Sequence, residues 1–137
     1  MKTSDITKSI FLKASPEHVW EFLTDPEKMA TWFHKPNQPL NDGSSFEMIG
    51  AESGNAFMWG KVLRSDKPTF LSHEFQMPQL DGHVTVVNWA LEAVPGGTQL
   101  SLEHKDLPHT EETFGLLQAL DAGWDKHLGD LRTNAAA

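Results

Sequence analysis

A chain of 137 residues suits a single domain, here residues 1–137, and 19 acidic residues against 11 lysines and arginines give it a formal charge of −8. That balance, without a lysine–arginine cluster, excludes nucleic acid and an anionic membrane surface as partners. The absence of cysteine excludes disulfides, thiolate zinc sites and cysteine nucleophiles, so packing alone must hold the fold. Met1 to Asp5 is polar and no apolar run approaches the about twenty residues of a membrane helix, which predicts a soluble, cytoplasmic protein without a signal peptide.

In chain order, Ile6, Ile10 and Leu12 share one face of a half-buried strand over Asp5 to Ala14, with Lys8 interrupting the alternation. Ser15-Pro16-Glu17 then supplies a cap, a first-turn proline and an early acid, the start of a short helix that buries Val19, Trp20 and Leu23. Thr24-Asp25-Pro26-Glu27 repeats the signal for a second short helix through Phe33. Pro36, Pro39, Asn41, Asp42 and Gly43 make a loop.

Five strands follow, Ser45 to Ile49, Phe57 to Arg64, Thr69 to Gln76, Val84 to Val94 and Gln99 to Lys105, each gap carrying turn residues. Such short gaps imply an antiparallel meander. The last element is a long helix, Thr110 to Arg132, capped by Thr110 with Glu111 and Glu112 in its first turn. Its stripe of Phe114, Leu117, Leu120, Trp124, Leu128 and Leu131 demands burial against a partner. Gly123, beside Trp124, either clears space for backbone or is simply tolerated.

Strand alternation assigns the faces of the meander. Pairing across Gly96-Gly97 sets Leu91 opposite Leu102 and Trp89 opposite His104. One face then carries Phe46, Met48, Met58, Val62, Leu71, His73, Phe75, Val87, Trp89, Leu91, Leu100, Leu102 and His104. The other carries Glu47, Lys61, Ser72, Glu74, Gln76, Asn88, Glu92, Gln99, Ser101 and Glu103. A sheet so sided must cover its apolar face, and only the last helix is long enough to do so. The predicted fold class is α+β: six or seven antiparallel strands, strongly bent around the C-terminal helix, with two short helices plugging one end.

This order of elements resembles the helix-grip fold of the START and birch-pollen-allergen-like superfamily. The run Ala14 to Glu27, followed by Trp32-Phe33, resembles the opening signature of SRPBCC proteins related to the activator of the heat-shock-protein-90 ATPase. Gly60-Lys61-Val62-Leu63, the turn at Pro68, and Gly123-Trp124 with Leu128 are similar to the same group, so the likeness spans nearly the whole chain. It implies a cavity between sheet and final helix, used across the superfamily for apolar ligands, polyketide cyclisation or chaperone contact. The candidate lining is Trp20, Phe46, Met48, Met58, His73, Phe75, Trp89, Leu91, His104, Leu117 and Trp124.

Motifs of enzyme chemistry are absent. No GxSxG, HExxH or GxGxxG occurs, and Gly54 to Lys61 misses a phosphate loop by one residue between its glycines and by Val62 where Ser or Thr is required. His104, Asp106 and His109 lie close in sequence but read as a solvated loop, so neither metal nor cofactor is expected. His73 and His104, the polar exceptions on the apolar face, are core histidines, ligand hydrogen-bonding groups or, less simply, general bases. His18, His34, His83 and His127 read as exposed.

Three functions remain open at this stage. The first is binding of a small hydrophobic molecule, aromatic ones included. The second is a cyclase- or hydrolase-type reaction on it. The third is an interaction module that docks a chaperone, as in a stress response, or a second copy to form a homodimer.

Overall fold

The computed structural model describes residues 2–50 and 53–136. Six strands, β1 (Thr3–Leu12), β2 (Ser45–Ile49), β3 (Ala56–Asp66), β4 (Phe70–Phe75), β5 (Thr85–Val94) and β6 (Gly97–Pro108), form one curved antiparallel sheet in the order β1-β6-β5-β4-β3-β2. β2 to β6 are the expected meander, and β1 closes onto β6 at the far edge. The helices are α1 (Pro16–Thr24), α2 (Pro26–Met29) and α3 (Phe114–Asn134), with a 3₁₀ turn at Pro78–Leu80 that periodicity did not reveal.

The caps of the short helices follow their sequence signals. The Ser15 hydroxyl accepts from the His18 amide at 3.2 Å, and the Asp25 carboxylate accepts from the Lys28 amide at 3.1 Å. α2 stops at Met29 rather than Phe33, because the chain tightens into successive turns that bring the Trp32 indole back to the Phe22 carbonyl at 2.7 Å.

The long helix begins four residues later than its sequence predicts. β6 runs on to Pro108, and Thr110 to Thr113 is spent on a turn in which the Thr110 hydroxyl accepts from the Thr113 amide at 3.2 Å. The Thr113 hydroxyl donates to the Pro108 carbonyl at 3.0 Å, so Glu111 and Glu112 sit in this turn and not in the helix.

Every residue expected on the inner face of the sheet, from Phe46 to His104, is buried, none more than 5% exposed. The register of the last hairpin nevertheless differs from the expected one by two residues. Its loop is only Pro95-Gly96, with Gly96 at φ 92°, so Val94 pairs with Gly97, Trp89 with Leu102, Leu91 with Leu100 and Val87 with His104. An even slip leaves the parity of every side chain unchanged. On the outer face Lys61 and Glu92 are exposed, whereas Ser72 is buried between its larger cross-strand neighbours Arg64 and Asn88.

Lys8 has a structural reason for interrupting the apolar alternation of β1. It lies on the face turned toward α3, where its ammonium pairs with Asp121 at 2.8 Å and Asp125 at 3.0 Å. The hydrogen bond to Asp121 is the main cause that holds its pKa above the ordinary value.

α3 itself is packed unevenly. Trp124, Leu128 and Leu131 are buried, Leu117 and Leu120 are only partly covered, and Phe114 is 54% exposed. The C-terminal half is seated on the sheet, and the N-terminal half stands off it.

Candidate functional site

Two buried histidines lie at the base of the grip, and their hydrogen bonds define their protonation. The Trp124 indole can only donate, so at 3.0 Å it fixes His104 Nδ1 as the unprotonated nitrogen. His104 Nε2 then donates to the Thr85 hydroxyl at 2.9 Å, and that hydroxyl donates to the Phe75 carbonyl at 2.6 Å. His73 is the opposite tautomer. Its Nε2 accepts from the Trp89 indole at 3.1 Å and its Nδ1 donates to the Glu74 carbonyl at 2.9 Å.

Burial pushes the pKa of His73 down to about 4 and that of His104 down to about 3, so both rings are neutral. All four ring nitrogens are already partnered by protein groups. Gly60 is part of this arrangement: a Cβ there would lie 2.1 Å from the same Glu74 oxygen that His73 engages.

The open space is higher up. A cavity of about 320 Å³ lies between β3, β4 and the raised half of α3. Its walls are Phe33, His34, Phe57, Met58, Phe75, Met77, Gln79, Leu116, Ala119, Leu120, Gly123, Trp124 and His127.

A register shift opens this end of the sheet. Met48 pairs with Met58 but Ile49 pairs with Ala56, leaving Phe57 as the extra residue of a β-bulge, which lets successive side chains, Phe57 and Met58, both line the cavity. At Gly123 no heavy atom lies within 4 Å of where a Cβ would stand. The missing side chain is therefore part of the cavity.

One end of the cavity is an aromatic cluster. Phe33 stacks on Trp124 with centroids 5.5 Å apart and 17° between planes, and His34 meets Phe57 edge-on at 4.7 Å. The His127 ring lies 4.7 Å from that of Phe33 and 5.5 Å from that of His34. His127 Nδ1 donates to the Trp32 carbonyl at 3.1 Å. Both histidines have pKa values below the ordinary range. Burial is the main cause for each; His127 adds to it for His34, and Lys126 adds to it for His127 against the opposing Trp32 carbonyl and Asp130.

Of the residues expected to line a ligand cavity, Met58, Phe75 and Trp124 border the space of about 320 Å³. Phe46, Met48, His73 and Trp89 instead surround a void of about 10 Å³, at most the room of one water molecule, and belong to the packed core. Trp20, Leu91 and His104 are buried in the same core, and Leu117 packs against it from outside the cavity wall.

His34 and His127, expected to be exposed, are half-buried cavity residues. The signal for His127 was available, since it falls three residues after Trp124 on the apolar stripe. His34 sits in an irregular turn that no periodicity describes. His18 and His83 are also half-buried, the latter hydrogen-bonded through Nε2 with the Asp106 carbonyl at 2.8 Å. His109 is hydrogen-bonded with the Ser4 hydroxyl at 2.6 Å while His104 points into the core, so the two do not converge with Asp106. Among the described residues no group of three potential metal ligands is gathered, and no helix is long and apolar enough to cross a membrane.

Residues 13–136 match the family model described as Activator of Hsp90 ATPase homolog 1-like protein. The fold is similar to that of a Mesorhizobium loti protein, with a TM-score of 0.83 at 21% identity over 96% of each chain. It is also similar to CalU16 from Micromonospora echinospora, with a TM-score of 0.76 at 22% identity over 98% of this chain and 85% of that one. The Aha1 dimer from Colwellia psychrerythraea gives a TM-score of 0.77 at 20% identity over 94% of this chain and 93% of its own. No curated protein matches this chain by sequence.

Proposed function

This chain belongs to the Activator of Hsp90 ATPase homolog 1-like family, and from that premise we propose that it binds a small hydrophobic, aromatic molecule in the cavity beneath the raised half of α3. The observation that carries this reading is the cavity itself. Its volume lies in the range of small-molecule sites, its walls are largely aromatic and aliphatic, and its polar groups are few and grouped. Burying one aromatic ring contributes a few kcal/mol at about 25 cal/mol per Å², which with one or two hydrogen bonds supports affinity of about micromolar strength.

A reaction with His73 or His104 as general base is less well supported, because every nitrogen of both rings is occupied by protein partners. Contact with a chaperone, or with a second copy as in the Colwellia dimer, would use the outer surface and is compatible with a filled cavity.

Gly123→Leu tests the reading. Its side chain enters open space and replaces the residue of poorest helix propensity after proline, so the variant should be as stable as the parent or up to about 1 kcal/mol more so. Calorimetry and tryptophan fluorescence with a panel of naphthalene derivatives should show binding by the parent and none by the variant. No binding by the parent, or equal binding by both, overturns the reading.

A further inference from the structure

The cavity wall contains no Asp, Glu, Lys or Arg. An anionic ligand would find no fixed countercharge there and neither would a cation, and leaving a charge unpaired in a half-buried apolar space is expensive. The polar group of the occupant is therefore neutral, and its partners are the two histidines, whose rings meet edge-on with centroids 5.5 Å apart and 71° between planes.

The state of His127 restricts that group further. A carbonyl only accepts, so the bond to Trp32 requires the proton on Nδ1 and leaves Nε2 as a lone pair without a partner among the described residues. The His34 ring makes no hydrogen bond among the described residues, and only burial and the neighbouring His127 act on it. A neutral imidazole there offers one N–H. The pair thus presents an acceptor and a donor side by side, and the smallest neutral group that satisfies both at one atom is a hydroxyl.

Resting on the cavity reading above, we propose that the occupant is a phenol-type molecule, an aromatic ring whose hydroxyl donates to His127 Nε2 and accepts from the His34 imidazole. The ring lies among Phe33, Phe57 and Trp124, where offset and edge contacts suit a flat π system. Around the two histidines, the charged neighbours on the same helix, Lys126 and Asp130, pair with each other at 3.0 Å, and Lys35 beyond His34 pairs with Glu27 at 2.6 Å. The sheet side contributes only Phe57, Met58, Phe75 and Met77. Nothing else on the wall competes for the hydroxyl except the Gln79 amide.

The test is calorimetric titration of the full chain at neutral pH with 2-naphthol, 2-methoxynaphthalene, 2-naphthoate and naphthalene-2-methylammonium. The naphthol should bind about tenfold or more tighter than its methyl ether, because the ether cannot donate to Nε2 and leaves a buried acceptor unmatched. His127→Phe should erase that preference, and His34→Phe, which removes no hydrogen bond within the protein, should weaken naphthol and ether alike, because both oxygens accept from its N–H. Equal binding of naphthol and ether overturns the inference but leaves the cavity reading intact. So does tightest binding of the carboxylate or the ammonium, or a preference that survives His127→Phe. No binding of any probe overturns both readings.

Discussion

The two pairs of histidines in this molecule differ less in burial than in what their nitrogens are doing. His73 and His104 lie under the sheet with both ring nitrogens engaged, each accepting from a tryptophan indole and donating to a hydroxyl or carbonyl. His34 and His127 stand at the cavity, half-buried, with one nitrogen of His127 tied to the Trp32 carbonyl. The first pair solves a packing problem: buried tryptophans need acceptors for their N–H groups, and a neutral imidazole provides one while filling the space of an apolar residue. The second pair retains hydrogen-bonding capacity that no described protein group uses. A polar side chain on an apolar face is therefore a ligand-binding group only when the surrounding protein has not already satisfied it.

The comparison breaks most severely at Gly60. Alanine there would drive a Cβ into the Glu74 carbonyl that His73 engages, and backbone cannot retreat as a flexible side chain can. Gly60→Ala should cost about 3 kcal/mol or more in urea melts, if the protein accumulates folded at all.

Acid separates the pairs next. The unfolded chain takes up protons at His73 and His104 near the ordinary 6.5, but the folded chain does so only at about 4 and about 3. Between those limits the unfolded state binds more protons, so stability is full above 6.5 and falls as the pH drops through the window. The slope is about 1.4 kcal/mol per pH unit for each ring. Urea midpoints measured from pH 7 to pH 4.5 should follow this decline, and a flat profile would contradict the neutral assignment.

A smaller contrast sharpens the roles. His104→Leu leaves the Trp124 indole N–H buried without an acceptor and should cost about 1–3 kcal/mol, while shallowing the acid profile. His127→Leu, at the cavity wall, should cost less in the same melts and act mainly on ligand affinity. Equal losses at the two positions would mean that His127, too, is structural.

The architecture was legible because the meander obeys a period of two over strands long enough to average out errors. Even the wrong register of the β5–β6 hairpin did no harm, since a slip of two keeps Trp89 and His104 on the inner face. The site was less legible for the same reason. Alternation names the residues that point inward, such as Phe46, Met48 and Trp89, but not whether the space they enter is filled. Beside Met58, Phe75 and Trp124, the residues that border open space include interruptions of the pattern: Phe57 from a bulge, His34 from a turn, Gln79 from a 3₁₀ turn, and Gly123 by having no side chain.

Sidedness, the order of the meander, the caps of the two short helices and family resemblance were determined by the amino-acid sequence alone, because each is written in local periodicity and short-range chemistry. Where α3 lifts from the sheet, which tryptophan claims which imidazole, and which ring nitrogens are left without a protein partner were decided only in three dimensions. The reason is physical: an unfilled volume and an unpartnered lone pair are properties of how distant segments meet, and no single segment carries them.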